Sequence, residues 1–190
     1  MKKIQILLLN IGVILLLTSC GSKQLYTLGD TSHIHPSDKT THEAIAVEKI
    51  GLPVYFMDSP IYKKNTPYHL VKVDDAKWIH SMDTHLTNVL IIYLQKSLNT
   101  ATIYPYPWSS VDKIDKKISL TISSFIAYKN SVTLDANFAI YDKNKKKSLN
   151  YLFSTKTVIK DSSKNSSIEG MIEAMDRAYF ELLEKIKSHI

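Results

Sequence analysis

The spacing of apolar residues changes several times along the chain, and each change predicts a different element. Ile4 to Leu17 is mostly apolar, broken by Gln5 and Asn10. Gly21 to His42 is polar, with Gly, Ser, Pro and three His, and reads as a tether with a short extended piece at Leu25 to Leu28. In Glu43 to Ile50, Ile45 and Val47 alternate with smaller or polar neighbours, as a strand requires. The stretch GLPVYFMDSP is bounded by Gly-Leu-Pro and Ser-Pro and reads as a loop. A second strand follows at Tyr68 to Val73.

From Trp78 to Leu98 the period lengthens. Met82, Leu86, Val89, Leu90 and Tyr93 recur three or four residues apart, predicting a helix. Ile91, Ile92 and Leu94 broaden its apolar face, so it should be largely buried. A short strand is expected at Thr102 to Tyr104, before Pro105 and Pro107. Three longer alternating runs then pass through Ile118 to Ile122, Val132 to Ile140 and Leu149 to Ile159. This period of two suits a sheet with one solvated face. YKNS and DKNKKKS supply hairpin connections, which makes the three strands an antiparallel meander. Ser166 and Glu169 have capping-box spacing, and a final helix carries Ile168, Met171, Ile172, Met175, Tyr179, Leu182, Leu183 and Ile186 on one stripe. The expected fold is therefore α+β: a mixed or antiparallel sheet of about six strands with two amphipathic helices packed on one face.

Composition narrows the class. A length of 190 residues suits one domain. The net charge is +6, or +4 once Lys2 and Lys3 are set aside, and its densest run is Lys143 with Lys145 to Lys147. No basic block is interleaved with aromatics, which argues against nucleic acid as a partner. A single cysteine excludes an internal disulfide and any CxxC metal site.

The N-terminus explains that cysteine. Lys2 and Lys3 precede the apolar run, whose 14 residues reach about 21 Å as a helix, against about 30 Å for a bilayer core. The run is a signal-peptide core rather than a span. Leu17-Thr18-Ser19-Cys20 follows and resembles the bacterial lipobox, in which the cysteine is made a diacylglyceryl thioether and the chain is cut before it. Two or more acyl chains, of palmitate type, give stable membrane anchoring where one is marginal. Gly21, in place of the aspartate that commonly retains lipoproteins at the inner membrane, favours the periplasmic face of the outer membrane of a Gram-negative cell. The expected organisation is a removed signal peptide at 1–19, a lipidated tether at 20–42 and one periplasmic domain at 43–190.

No catalytic constellation stands out. GxSxG, P-loop, GxGxxG and HExxH patterns are missing, so no cofactor and no enzymatic activity are expected. His33 and His35 read as solvated loop residues, and His80 and His85 do not share a helical face. Asp74, Asp75, Asp112 and Asp115 fit turn and cap chemistry. The feature that invites function is the loop Leu52, Pro53, Val54, Tyr55, Phe56 and Met57, apolar where loops are usually polar. Such a patch either meets a partner or greasy ligand, or folds back onto the sheet.

The ordered set of a lipobox, Tyr26 and Leu28, then Leu52, Pro53, Tyr55, Asp58, Pro60 and Ile61, then Trp78 before Leu86, Leu90 and Leu94, resembles the ABC-type transport auxiliary lipoproteins. Ile79-His80-Ser81 departs from that family's pattern after the Trp, Lys77 stands where Arg is common, and the second half matches by pattern alone. The resemblance implies a periplasmic α+β domain, tethered to the outer membrane, that works beside MCE-domain proteins and an ABC transporter in moving lipid between membranes, without catalysis. The Leu52 to Met57 loop would then dock an MCE assembly or a neighbouring copy, and homo-oligomerisation stays open. A scaffold or envelope-assembly lipoprotein unrelated to lipid transport is the alternative.

Overall fold

The computed structural model describes residues 23–38, 40, 42–79, 81–100, 102–107, 114–160 and 168–190. In chain order its elements are β1 (Gln24–Tyr26), β2 (Ile45–Glu48), a 3-10 turn (Val54–Phe56), β3 (Pro60–Thr66), β4 (His69–Trp78), α1 (Met82–Ser97), β5 (Ile103–Tyr106), β6 (Lys116–Tyr128), β7 (Ser131–Asp142), β8 (Lys147–Val158) and α2 (Ile168–Lys187). The α+β fold and the two-helix layer agree with the expectation, and the sheet has eight strands rather than about six. The two strands beyond those six are β1, only three residues long and overlapping the short extended piece expected at Leu25 to Leu28, and β3, which follows the breaker-rich loop.

β6 organises the sheet. Along one edge it pairs antiparallel with β7 for its whole length, and β7 pairs in turn with β8 from Ser131↔Val158 to Asp142↔Lys147. The expected meander is therefore present. Along its other edge β6 is shared. Its start pairs in parallel with β2 at Ile45↔Lys116 to Val47↔Ile118, and its end pairs in parallel with β3 at Lys63↔Ala127 and Lys64↔Tyr128. The segment between β2 and β3 must cross this fork. Beyond β2 lies β5, and beyond β3 lie β4 and then β1.

Alternation decides the faces. Ile118, Leu120 and Ile122 of β6, with Val132, Leu134, Ala136, Phe138 and Ile140 of β7, point into one continuous core with both helices. A bulge between Ile122 and Ser124 shifts the phase of β6, so that Phe125 and Ala127 continue the core face. In α2 the predicted stripe is buried from Met171 to Ile186, and Ile168 at its start is half-buried. The Tyr179 hydroxyl donates to the Leu86 carbonyl at 2.7 Å, tying α2 to α1 through a satisfied buried polar group. Thr87 joins α1 to the sheet, accepting from the Ile50 N–H at 3.0 Å and donating to the Asp83 carbonyl at 2.6 Å.

Trp78 was expected to open the first helix, but it ends β4. Its N–H donates to the Ser59 carbonyl at 2.8 Å, its side chain is buried, and the helix begins at Met82. Part of the stretch read as tether is built into the fold. Leu28 is buried, Ile34 packs against the core, and the His33 ring meets Phe180 edge-on at 5.0 Å. The stretch read as signal peptide, the expected lipobox with Cys20, and Ser166, expected as a cap, lie outside the described residues.

Candidate docking surface

The loop across the fork begins at Gly51, whose backbone replaces a strand partner. Its N–H donates to the Leu120 carbonyl at 3.0 Å, and its carbonyl accepts from the Ile122 N–H at 2.8 Å. A Cβ at this position would sit 3.2 Å from the Thr121 methyl, so the close approach favours glycine. Leu52 and Pro53 are half-buried and lead into the 3-10 turn.

The six apolar residues then divide by direction. Phe56 is 3% exposed and lies between two aromatic rings, with centroids 5.6 Å from Trp78 and 5.4 Å from Phe125. Tyr55 is half-buried, and its hydroxyl accepts from the Phe125 N–H at 3.0 Å. Burial raises the Tyr55 hydroxyl's pKa above the ordinary phenol value, so it remains protonated near neutral pH. Val54 and Met57 face outward, 82% and 56% exposed. The loop thus has a folded-back half that fixes its position and an outward half that is left uncovered.

A second constellation, along the N-terminal segment, carries little sequence signal. The Thr27 hydroxyl and the Leu28 carbonyl lie 2.9 Å and 2.6 Å from Nε2 of His85. The Gly29 N–H donates to Oδ1 of Asp176 at 2.5 Å, and Lys96 donates to the Thr31 carbonyl at 2.7 Å. Gly29 has φ of 83°, and a Cβ there would fall 2.5 Å from the Val89 methyls. Burial raises the Asp176 carboxyl above its usual range, against the lowering effect of the Gly29 N–H. In the sequence this strap is hinted at by the short extended piece at Leu25 to Leu28 and by the isolated glycine that follows it, while its contacts with His85, Lys96 and Asp176 leave no local pattern.

The remaining candidates take structural roles. Asp115 accepts from the Ala44 N–H at 2.9 Å. Asp74 and Asp75 are exposed, and Asp75 turns the backbone of β4 with φ of 55°. Glu169 lies in the first turn of α2, where a carboxylate suits the helix dipole. Asp83 does the same in α1. Burial pushes its carboxyl up, but the Lys49 ammonium at 2.5 Å and the Thr84 N–H at 2.6 Å outweigh this and hold it below the usual range. His35 is exposed, and His80 and Asp112 lie outside the described residues. Among the described residues no group of three potential ligands is placed to hold a metal ion. The described helices include none long and apolar enough to cross a membrane.

The family description "ABC-type transport auxiliary lipoprotein component" matches residues 26–187. No curated protein matches the sequence. The fold is similar to the crystal structure of an uncharacterized protein, with a TM-score of 0.69 and 13% identity over 88% of this chain and 98% of that one. It is also similar to protein XCC0632 from Xanthomonas campestris, with a TM-score of 0.63 and 14% identity over 86% of this chain and 92% of the other. At such identities the likeness is one of fold.

Proposed function

The chain belongs to the family of ABC-type transport auxiliary lipoprotein components, and we propose that it is held by acyl chains on Cys20 at the periplasmic face of the outer membrane. There it serves an intermembrane lipid transport system by docking an MCE-domain protein or an ABC transporter component, rather than by catalysis. The observation that carries the docking reading is the divided loop. Phe56 and Tyr55 lock it to β4 and β6, so Val54 and Met57 form a preorganised apolar pair that needs little further ordering on binding. The family match supports the transport context, and the lipobox supports the anchor.

Photo-crosslinking from Val54 and Met57 in native envelopes tests the reading. Adducts with an MCE-domain or transporter component are expected. The double substitution Val54→Ser with Met57→Ser, which spares the buried Phe56, should weaken co-purification of that partner without changing the melting temperature. Undiminished co-purification would sink the docking assignment. Mass analysis of the mature N-terminal peptide checks the acyl groups on Cys20, and density-gradient separation of the two membranes checks the location.

A further inference from the structure

The β3–β4 hairpin reaches beyond the core. Its tip, Thr66 to His69, holds Tyr68 at 98% exposure, and Leu70 beside it is 37% exposed. The outer part of the hairpin, Ile61 to Val73, carries Lys63, Lys64 and Lys72 and no acidic residue, and the exposed Asp74 and Asp75 follow on β4, farther from the tip. Among the described residues none of these lysines is ion-paired. Register sets apolar side chains opposite them: Tyr62 faces Lys72, Val71 faces Lys63, and Leu70 faces Lys64. Tyrosine rings settle where an apolar body meets polar headgroups, and lysine stems lie along apolar surface while the ammonium stays among phosphates. Both faces of the hairpin therefore suit an anionic interface.

Chain connectivity says which interface. β1 runs parallel to β4 with Gln24 opposite Ala76, so Gln24 is the end of β1 nearer the hairpin tip. Cys20 is four residues earlier and lies within about 14 Å of Gln24 even when the chain is fully extended. From Ala76 back to His69 the hairpin extends seven residues, roughly 23 Å at the rise of a strand. An acyl group on Cys20 brings the bilayer surface to within the length of the hairpin. With β4 steep to the membrane the tip reaches the headgroups, and with the sheet flat the hairpin lies along them.

We propose that the β3–β4 hairpin is a membrane-contacting element that seats Tyr68 at the headgroup level of an anionic bilayer, with Lys63, Lys64 and Lys72 against lipid phosphates. This rests on the reading that Cys20 is acylated. The test uses the full acylated chain, carrying a nitroxide on Tyr68→Cys or, as the distant control, on Lys145→Cys in the β7–β8 turn. It is placed in vesicles of phosphatidylethanolamine with a minority of phosphatidylglycerol. The label at position 68 should show a severalfold fall in its ratio of nickel to oxygen accessibility on moving from detergent to vesicles, while the label at 145 should not. Adding Lys63→Gln, Lys64→Gln and Lys72→Gln should return the label at 68 towards the aqueous value. An acylated, vesicle-bound chain whose label at 68 stays aqueous overturns the hairpin assignment and leaves the anchor intact. A chain whose mass shows no acyl group overturns the anchor, and the hairpin assignment falls with it. Shielding at 68 by a co-purified protein, unchanged on transfer to vesicles, overturns it in favour of a protein partner.

Discussion

Phe56 shows how one side chain can change the meaning of a sequence feature. In sequence it is one of six apolar loop residues, but in the fold it fills the space between Trp78 and Phe125. Phe56→Ala should cost about 3–5 kcal/mol in urea unfolding, as large-to-small changes at buried aromatic positions do. Tyr55→Phe removes the acceptor of a backbone N–H and should cost about 1–3 kcal/mol, read in the same experiment. Asp176 gives a pH signature. Burial places its pKa in the folded protein above the unfolded value of about 3.9. The stability it contributes is thus fully present below that unfolded value and lost as pH rises through the folded one. Asp176→Asn, which keeps an acceptor for Gly29, should flatten this part of the pH–stability curve and should not destabilise the protein near pH 7. Asp83 acts in the opposite sense. Its lowered pKa contributes stability above the unfolded value, which is lost as pH falls through the folded value. A denaturation series of Lys49→Met across acidic pH should show that loss reduced.

At the scale of elements, legibility in the sequence followed burial. β6, β7 and both helices are readable because one side of each is buried and the other more exposed, and β8 because its second half alternates between half-buried and exposed positions, which writes a period of two or of three to four residues. β3 was not readable: after Ile61 and Tyr62 it continues as Lys-Lys-Asn-Thr, because the hairpin beyond the fork buries neither face. β1 is too short to show a period, and its pairing with β4 is a long-range event. The apolar loop is legible as a unit, but composition alone does not tell inward Phe56 from outward Val54 and Met57. Local stability should follow the same division. Amide exchange in β6 and β7 should approach the global unfolding limit, while Thr66 to Leu70 exchange orders of magnitude faster. Equal protection of the two would contradict this layout.

Across the whole molecule, a single core joins the sheet to both helices, and the C-terminus closes it. Lys116, almost buried, donates to Glu43 and to the Ile190 carbonyl, both at 2.6 Å. His189 sits edge-on to Tyr151 with ring centroids 4.1 Å apart. Deleting His189 and Ile190 removes one partner of a nearly buried ammonium together with this ring contact. It should cost about 1–3 kcal/mol and lower the melting temperature measurably in a thermal scan.

The shared edge of β6 also has a mechanical consequence. Were the chain anchored at Cys20 and a partner seated on Val54 and Met57, as proposed, a pull between the two would enter at β1 and leave at those residues. On its way it would cross the three β1–β4 pairs, the β3–β4 ladder and the bonds of Gly51 to Leu120 and Ile122. A force drawn along β1 would load the β1–β4 pairs in shear, backed by Leu28 in the core and by Gly29 on Asp176. With only three pairs against the longer β3–β4 ladder, the β1–β4 joint is expected to yield first under such tension, before the mount of the apolar loop changes shape.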